Sequence, residues 1–111
     1  MSLDLKRTPD IEAVVTLLST EEGGRSTPAI SGYRPAHSVS DDYLTSGLHQ
    51  YIGQDRLAPG QSCPTNIWLL SPDLYPHSLW VGKVLKVQEG GRLVGHAKIT
   101  KVFNVALLRD S

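Results

Sequence analysis

Two alternating apolar runs joined by a Gly-Gly turn constrain this chain more than any other feature. Leu79, Val81, Leu85 and Val87 fall on one face of an extended segment, Glu89-Gly90-Gly91-Arg92 follows, and Leu93, Ala97, Ile99 and Phe103 share a side on the return toward Val105. Successive side chains of a strand point to opposite faces, so this is the pattern of a β-hairpin with one buried side. Adjacent glycines tolerate the positive φ that a tight hairpin turn demands, which puts Gly90 or Gly91 in that conformation.

The rest of the chain repeats the theme. Ile11, Ala13, Val15 and Leu17 alternate against Glu12, Val14, Thr16 and Leu18, a strand partly wet on one face. Glu21 to Ser31 holds Gly23-Gly24, Pro28 and several hydroxyl residues and reads as a loop, and Pro35 forces the residue before it into an extended conformation. Weak alternation through His37, Val39, Tyr43, Leu48 and Ile52, broken by Asp41-Asp42 and Gly47, reads as two short strands with a solvated turn at the two acids. After a polar turn from Gly53 to Gln61, Asn66 to Leu70 forms a short apolar strand carrying Trp68. No stretch keeps a helical period, and turn signals recur at short intervals, so the chain reads as all-β and mostly antiparallel, a barrel or sandwich. Glu-Gly-Gly-Arg occurs at residues 22 to 25 and again at 89 to 92, which reads as repeated turn chemistry rather than duplication.

The chain has 111 residues, 40% of them hydrophobic and 20% charged, enough for one compact core and unlike a disordered polymer. Residues 1–10, ending in Thr8-Pro9-Asp10, read as a flexible N-terminal arm, 11–105 as the folded unit and 106–111 as a C-terminal tail. No apolar run approaches the ~18 residues of a membrane span, and the start lacks the pattern of a secretory signal, so a cytoplasmic protein with no membrane partner is expected. Eleven Lys and Arg balance eleven Asp and Glu, so no global field selects a partner.

Catalytic and cofactor motifs are missing. Gly90 and Gly95 have the glycine spacing of a phosphate-binding P-loop, but His96-Ala97 follow where Lys and a hydroxyl residue must hold phosphate and magnesium, so no GTP binding is expected. His37, His49, His77 and His96 are scattered without metal-ligand spacing, and Cys63 is the sole cysteine, so no metal site is expected. Cys63 beside Pro64 reads as a small core residue unless a histidine approaches it in the fold. Asp41-Asp42 would point to opposite faces of a strand, and no Gly-x-Ser-x-Gly elbow occurs. No cofactor and no enzymatic activity are expected.

The loops offer more. Arg25, Arg34 and Arg92 sit in or beside glycine- and proline-rich turns, where guanidinium groups grip phosphate oxygens or brace the loop itself, and Tyr33 adds a stacking surface. Trp68 and Trp80, flanked by aliphatics, read as packing residues.

A resemblance rests on two stretches. Leu18-Ser19-Thr20-Glu21-Glu22-Gly23-Gly24-Arg25-Ser26-Thr27-Pro28 with Gly32-Tyr33-Arg34-Pro35 resembles the opening of the third, C-terminal domain of bacterial elongation factor Tu. Glu89-Gly90-Gly91-Arg92-Leu93-Val94-Gly95 with Thr100-Lys101-Val102 resembles its closing hairpin, and Pro59-Gly60 matches its Pro-Gly turn. The likeness covers about residues 11 to 103. It implies a six-stranded antiparallel β-barrel that helps hold aminoacyl-tRNA along the T-stem and contacts a nucleotide exchange factor, with Arg34, Glu89 and Gly90 at the T-stem positions. The chain departs from the family at Gln88, where an arginine stands, and at Ser71-Pro72, where lysine precedes the proline. Ala36-His37-Ser38-Val39-Ser40-Asp41-Asp42 replaces an aromatic and basic strand, and the Tyr75 to Trp80 connection is longer. Two cations are lost and two acids gained, which reduces the RNA grip. Two roles follow: an RNA-binding module touching tRNA through Arg25, Arg34 and the Glu89-Gly90 hairpin, or an interaction module binding a translation-factor partner or regulatory protein. The candidate site is Arg25, Tyr33, Arg34, Glu89, Gly90 and Arg92.

Overall fold

A computed structural model describes residues 7–40 and 43–109. Its strands are β1 (Ile11–Leu17), β2 (Ala29–Ile30), β3 (Ala36–Ser40), β4 (Tyr43–Tyr51), β5 (Arg56–Leu57), β6 (Ser62–Leu69), β7 (Val84–Glu89) and β8 (Arg92–Val102). Six of them close an antiparallel barrel in the order β1-β6-β4-β3-β7-β8, with β8 returning to β1. The expected all-β class and six-stranded antiparallel barrel are what forms. Among the described residues, no helix is long and apolar enough to cross a membrane.

Alternation fills the barrel. Ile11, Ala13, Val15 and Leu17 all point inward and are buried, facing Cys63, Ile67 and Leu69 of β6 and Leu85, Val87, Ala97 and Ile99 of the final hairpin in one core. Because neighbouring strands run antiparallel, the ends of β1, β4 and β7 and the starts of β3, β6 and β8 gather at one rim. The small β2–β5 ribbon pairs Ala29 with Leu57 there, and both residues are buried. At the other end, Tyr75, Leu79 and Leu107, carried by two 3₁₀ turns and their flanks, complete the core.

Strand phase departs from the simple alternation at two bulges. Val87 pairs with Gly95 but Gln88 pairs with Leu93, so Val94 is an extra residue in β8; it is buried and Leu93 only half-buried. Ala13 pairs with Ile99 but Glu12 with Lys101, which makes Thr100 the second extra residue. The resulting shift turns Val102 toward the core and leaves Phe103 40% exposed, contrary to the expected inward Phe103. Val81 is also outward, because β7 starts only at Val84, after a turn with Gly82 at φ 95. In β4 the interior parity belongs to Thr45, Gly47, His49 and Tyr51; Leu48 is buried against the outer wall as the register partner of Trp68, and Ile52 is exposed. The Asp41-Asp42 turn lies outside the described residues.

The arm and tail are tied to the barrel where they are described. Asp10 is fully buried, and its carboxylate accepts from both Arg7 Nη atoms at 3.0 Å, from the Leu69 amide at 2.6 Å and from Asn104 Nδ2 at 2.9 Å. Its carbonyl accepts from the Phe103 and Asn104 amides, and the Arg7 carbonyl accepts from Trp68 Nε1 at 2.8 Å. One carboxylate thus ties the entry of β1 to the exits of β6 and β8, a role no local pattern signals. Residues 1–6 of the expected arm and 110–111 of the expected tail lie outside the described residues.

Candidate functional site

The rim unites the two Glu-Gly-Gly-Arg copies. In the first, Ser19 and Glu22 cap each other reciprocally, the Glu22 carboxylate accepting from the Ser19 amide at 3.0 Å and Ser19 Oγ from the Glu22 amide at 3.2 Å. That bonding holds the Glu22 carboxyl below its ordinary value. Gly24 is required by close approach: a Cβ there would sit 2.3 Å from the Leu18 carbonyl oxygen. The chain then delivers Arg25 to Glu89 of the second copy, where the guanidinium donates to the carboxylate in an ion pair. Tyr33 donates its hydroxyl to the same Glu89 oxygen, and the Arg25 guanidinium lies 4.7 Å from the centre of the Tyr33 ring. Arg25 also donates to the Thr27 carbonyl at 3.2 Å and the Pro28 carbonyl at 3.4 Å.

Burial pushes the Glu89 carboxyl upward, but the hydrogen bonds from Tyr33 and Arg25 and the charges of Arg25 and Arg92 outweigh it, leaving the group below its ordinary value. Burial and the Glu89 carboxylate both push the Tyr33 phenol well above its own. The trio is therefore a closed ionic clamp that fastens the Ser19 to Pro35 loop to the hairpin. The bracing role weighed for Arg25 is the one its contacts describe.

Arg34 behaves differently. The turn Ile30 to Tyr33, closed by the Tyr33 amide on the Ile30 carbonyl with Gly32 at φ 103, presents it, while Pro35 is buried behind it. Arg34 is exposed and has no hydrogen bond or ion pair among the described residues. Arg92 is exposed and lies 3.8 Å from Glu89, too far for a firm bond. Gly90 and Gly91 occupy the hairpin tip at φ 56 and 86, exposed, both positive as a type I′ turn requires. The structure thus brings Arg25, Tyr33, Glu89, Gly90 and Arg92 to one hairpin and loop, and leaves Arg34 on the adjoining turn. What remains open for contact there is two guanidinium groups and a glycine tip.

Sequence reasoning missed what lies beneath. His37 and His49, twelve residues apart, meet inside the barrel with their Nε2 atoms 2.7 Å apart, both fully buried. Gly47 makes room for this: a Cβ there would stand 2.8 Å from His37 Cε1. The Tyr33 ring meets His49 edge-on at 5.7 Å, and Tyr51 does so at 6.0 Å. The only sequence signal was parity, since both histidines occupy inward positions of strands. Among the described residues, no group of three or more His, Cys, Asp or Glu side chains could hold a metal ion. Cys63 is buried, its thiol donates to the Pro64 carbonyl at 3.1 Å, and burial pushes it above its ordinary value, the reverse of an activated thiolate. Trp68 is buried against the outer wall rather than in the barrel interior, and the Trp80 ring carries Arg109 at 4.1 Å and Lys83 at 4.6 Å. Gln88 is half-buried on β7, and Ser71 precedes a 3₁₀ turn at φ 51, so the two positions that depart from the resembled family lie in different parts of the molecule. No protein-family model matches the chain.

Proposed function

We propose that the chain is a non-catalytic binding module, related in design to the third domain of elongation factor Tu, whose rim docks a protein partner of the translation machinery. The observation that carries this reading is the internal neutralisation of Arg25 and Glu89, with Tyr33 as their third member. Affinity for a nucleic-acid backbone grows with the number of phosphates neutralised, and a rim that neutralises Arg25 internally offers few exposed cations among the described residues: Arg34, Arg56 and Arg92, the last two each 3.8 Å from a carboxylate. A protein interface asks for something else: a few anchors, often Arg or Tyr, on a surface already held rigid. Arg34, next to the clamped Tyr33 and the buried Pro35, fits that description, and Ile30 at 59% exposure supplies an apolar neighbour on the same turn. Weak contact with a tRNA T-stem is the second reading, favoured by the absence of any acidic partner on Arg34 among the described residues.

Affinity capture from cell extract, with and without nuclease, separates the two readings when wild type is run beside Arg34→Glu. The interaction reading expects a translation-factor partner that survives nuclease and is lost with Arg34→Glu. Partners that vanish with nuclease would transfer the role to RNA.

A further inference from the structure

The seam between β3 and β7 starts at the rim and is only two residue pairs long, Ala36 with Gln88 and His37 with Val87. Beyond it, side chains replace the backbone ladder. The Lys86 amide donates to Ser38 Oγ at 2.9 Å, and Lys83 Nζ donates to the Val39 carbonyl at 2.5 Å and the Ser78 carbonyl at 2.8 Å. A groove of about 550 Å³ opens over this seam, with Ser38, Leu44, Trp80, Val84 and Lys86 among its walls. Leu44 on β4 is 53% exposed and Val84 on β7 is 52% exposed. Lys86 is exposed within the groove, and Lys98, exposed on β8, is the register partner of Val84. Lys83 and Arg109 add their charges over the Trp80 ring. Among the described residues, no carboxylate lines the groove.

We propose that this groove docks an extended segment of a protein partner in which acidic and aliphatic side chains alternate. Like charges gathered on one sheet face raise the energy of the free protein, and an anionic ligand relieves them while gaining steered association. Leu44 and Val84 decide between anionic ligands. Exposed aliphatic walls gain from covering by aliphatic side chains, which a phosphate backbone lacks. Single-stranded nucleic acid would instead need an open aromatic face for its bases, and the Trp80 ring already carries two cations. The inference rests on the interaction reading only in making the partner a protein. Its lining includes none of Arg25, Tyr33, Arg34, Glu89, Gly90 and Arg92, so either reading can fail while the other stands.

The probe is a synthetic peptide alternating Glu with Leu or Val, titrated into the isotope-labelled full chain and followed by amide chemical shifts. Shifts should cluster at Ser38, Leu44, Trp80 and Val84. Lys86→Glu should weaken binding about tenfold or more, as reversal of a contacting charge does, and Val84→Ala about threefold, as loss of apolar contact does. Both positions are exposed, so unchanged spectra far from the groove verify folding of the variants. Arg34→Glu should leave the affinity intact. The proposal is overturned if millimolar peptide shifts no groove amide, if the equivalent Lys-containing peptide binds as well, or if Arg34→Glu abolishes binding. Oligouridylate shifting these amides where the peptide does not would make the groove a nucleic-acid site instead, which also overturns it.

Discussion

His37 and His49 share one proton across their Nε2 atoms. His37 Nδ1 faces the Thr45 carbonyl at 3.4 Å, which assigns the proton on that ring to Nδ1 and makes its Nε2 an acceptor for His49 Nε2–H. His49 Nδ1 is then a bare acceptor in the interior, and neither it nor the Tyr51 hydroxyl has a hydrogen-bond partner among the described residues. Burial lowers His37 to about 4, and burial together with the nearby His37 holds His49 well below 6.5. The unfolded chain therefore binds more protons than the folded one below about pH 6.5, so stability is full above that pH and falls as the pH drops toward 4. Glu22 and Glu89, whose carboxyls are held low, add losses only below their ordinary value of 4.5, so the interval from 6.5 to 5 belongs to the histidines. Urea midpoints measured through that interval should fall in wild type and stay level in a His37→Leu, His49→Leu double variant. A level wild-type profile would contradict the buried neutral pair.

At the scale of the element, the closing hairpin carries a sharper expectation. Gly91 stands at φ 86, outside the small left-handed region open to other residues, while Gly90 at φ 56 lies within it. Neither has an atom within 4 Å of an added Cβ, so any cost of substitution is conformational rather than steric crowding by the fold. Gly91→Val should lower stability by about 1 kcal/mol or more, whereas Gly90→Asn should be close to neutral because Asn visits that region readily. Equal denaturation midpoints for wild type and Gly91→Val would refute the assignment. The same element shows how much was legible in advance. Two-residue alternation and a Gly-Gly turn are local, so β1 and the hairpin were visible in the sequence, and with them the antiparallel all-β class. The bulges at Val94 and Thr100 were not, because an extra residue is defined only against the strand opposite. Nor were the meeting of Arg25 with Glu89, the His37–His49 contact or the burial of Asp10. The ion pair and the burial of Asp10 join residues far apart in sequence through closure of the barrel, and the histidine contact depends on the register of β3 against β4, which no local pattern sets. Loop arginines could be recognised as candidates from their turns; which of them is spent on an internal clamp depended on where the second Glu-Gly-Gly-Arg copy came to rest.

For the molecule as a whole, the question is what a chain with eleven positive and eleven negative side chains can hold. A net charge of zero gives no long-range attraction to RNA, so any affinity must come from a local cluster. Among the described residues, that cluster has three members at the rim not locked in the clamp: Arg34, Arg56 and Arg92. Each phosphate neutralised on a duplex contributes a slope of about 0.9 in log affinity against log salt, so tRNA bound at the rim should show a slope of magnitude no more than about 2.7. Removing Arg34 should lower the slope by about 0.9, since one phosphate contact is gone, and should weaken binding more than any other single substitution at the rim. The clamp makes the comparison clean: Arg34 has no partner there to lose, so Arg34→Ala changes the rim's charge without unfastening the loop that Arg25 and Tyr33 secure. Titration of labelled tRNA against wild type and Arg34→Ala at two salt concentrations reads both quantities. The protein-partner reading expects no measurable tRNA binding at physiological salt in either protein. Binding that is independent of salt, or that persists undiminished without Arg34, would mean that the rim is not where RNA is held and would direct attention to the lysines beside the β3–β7 groove.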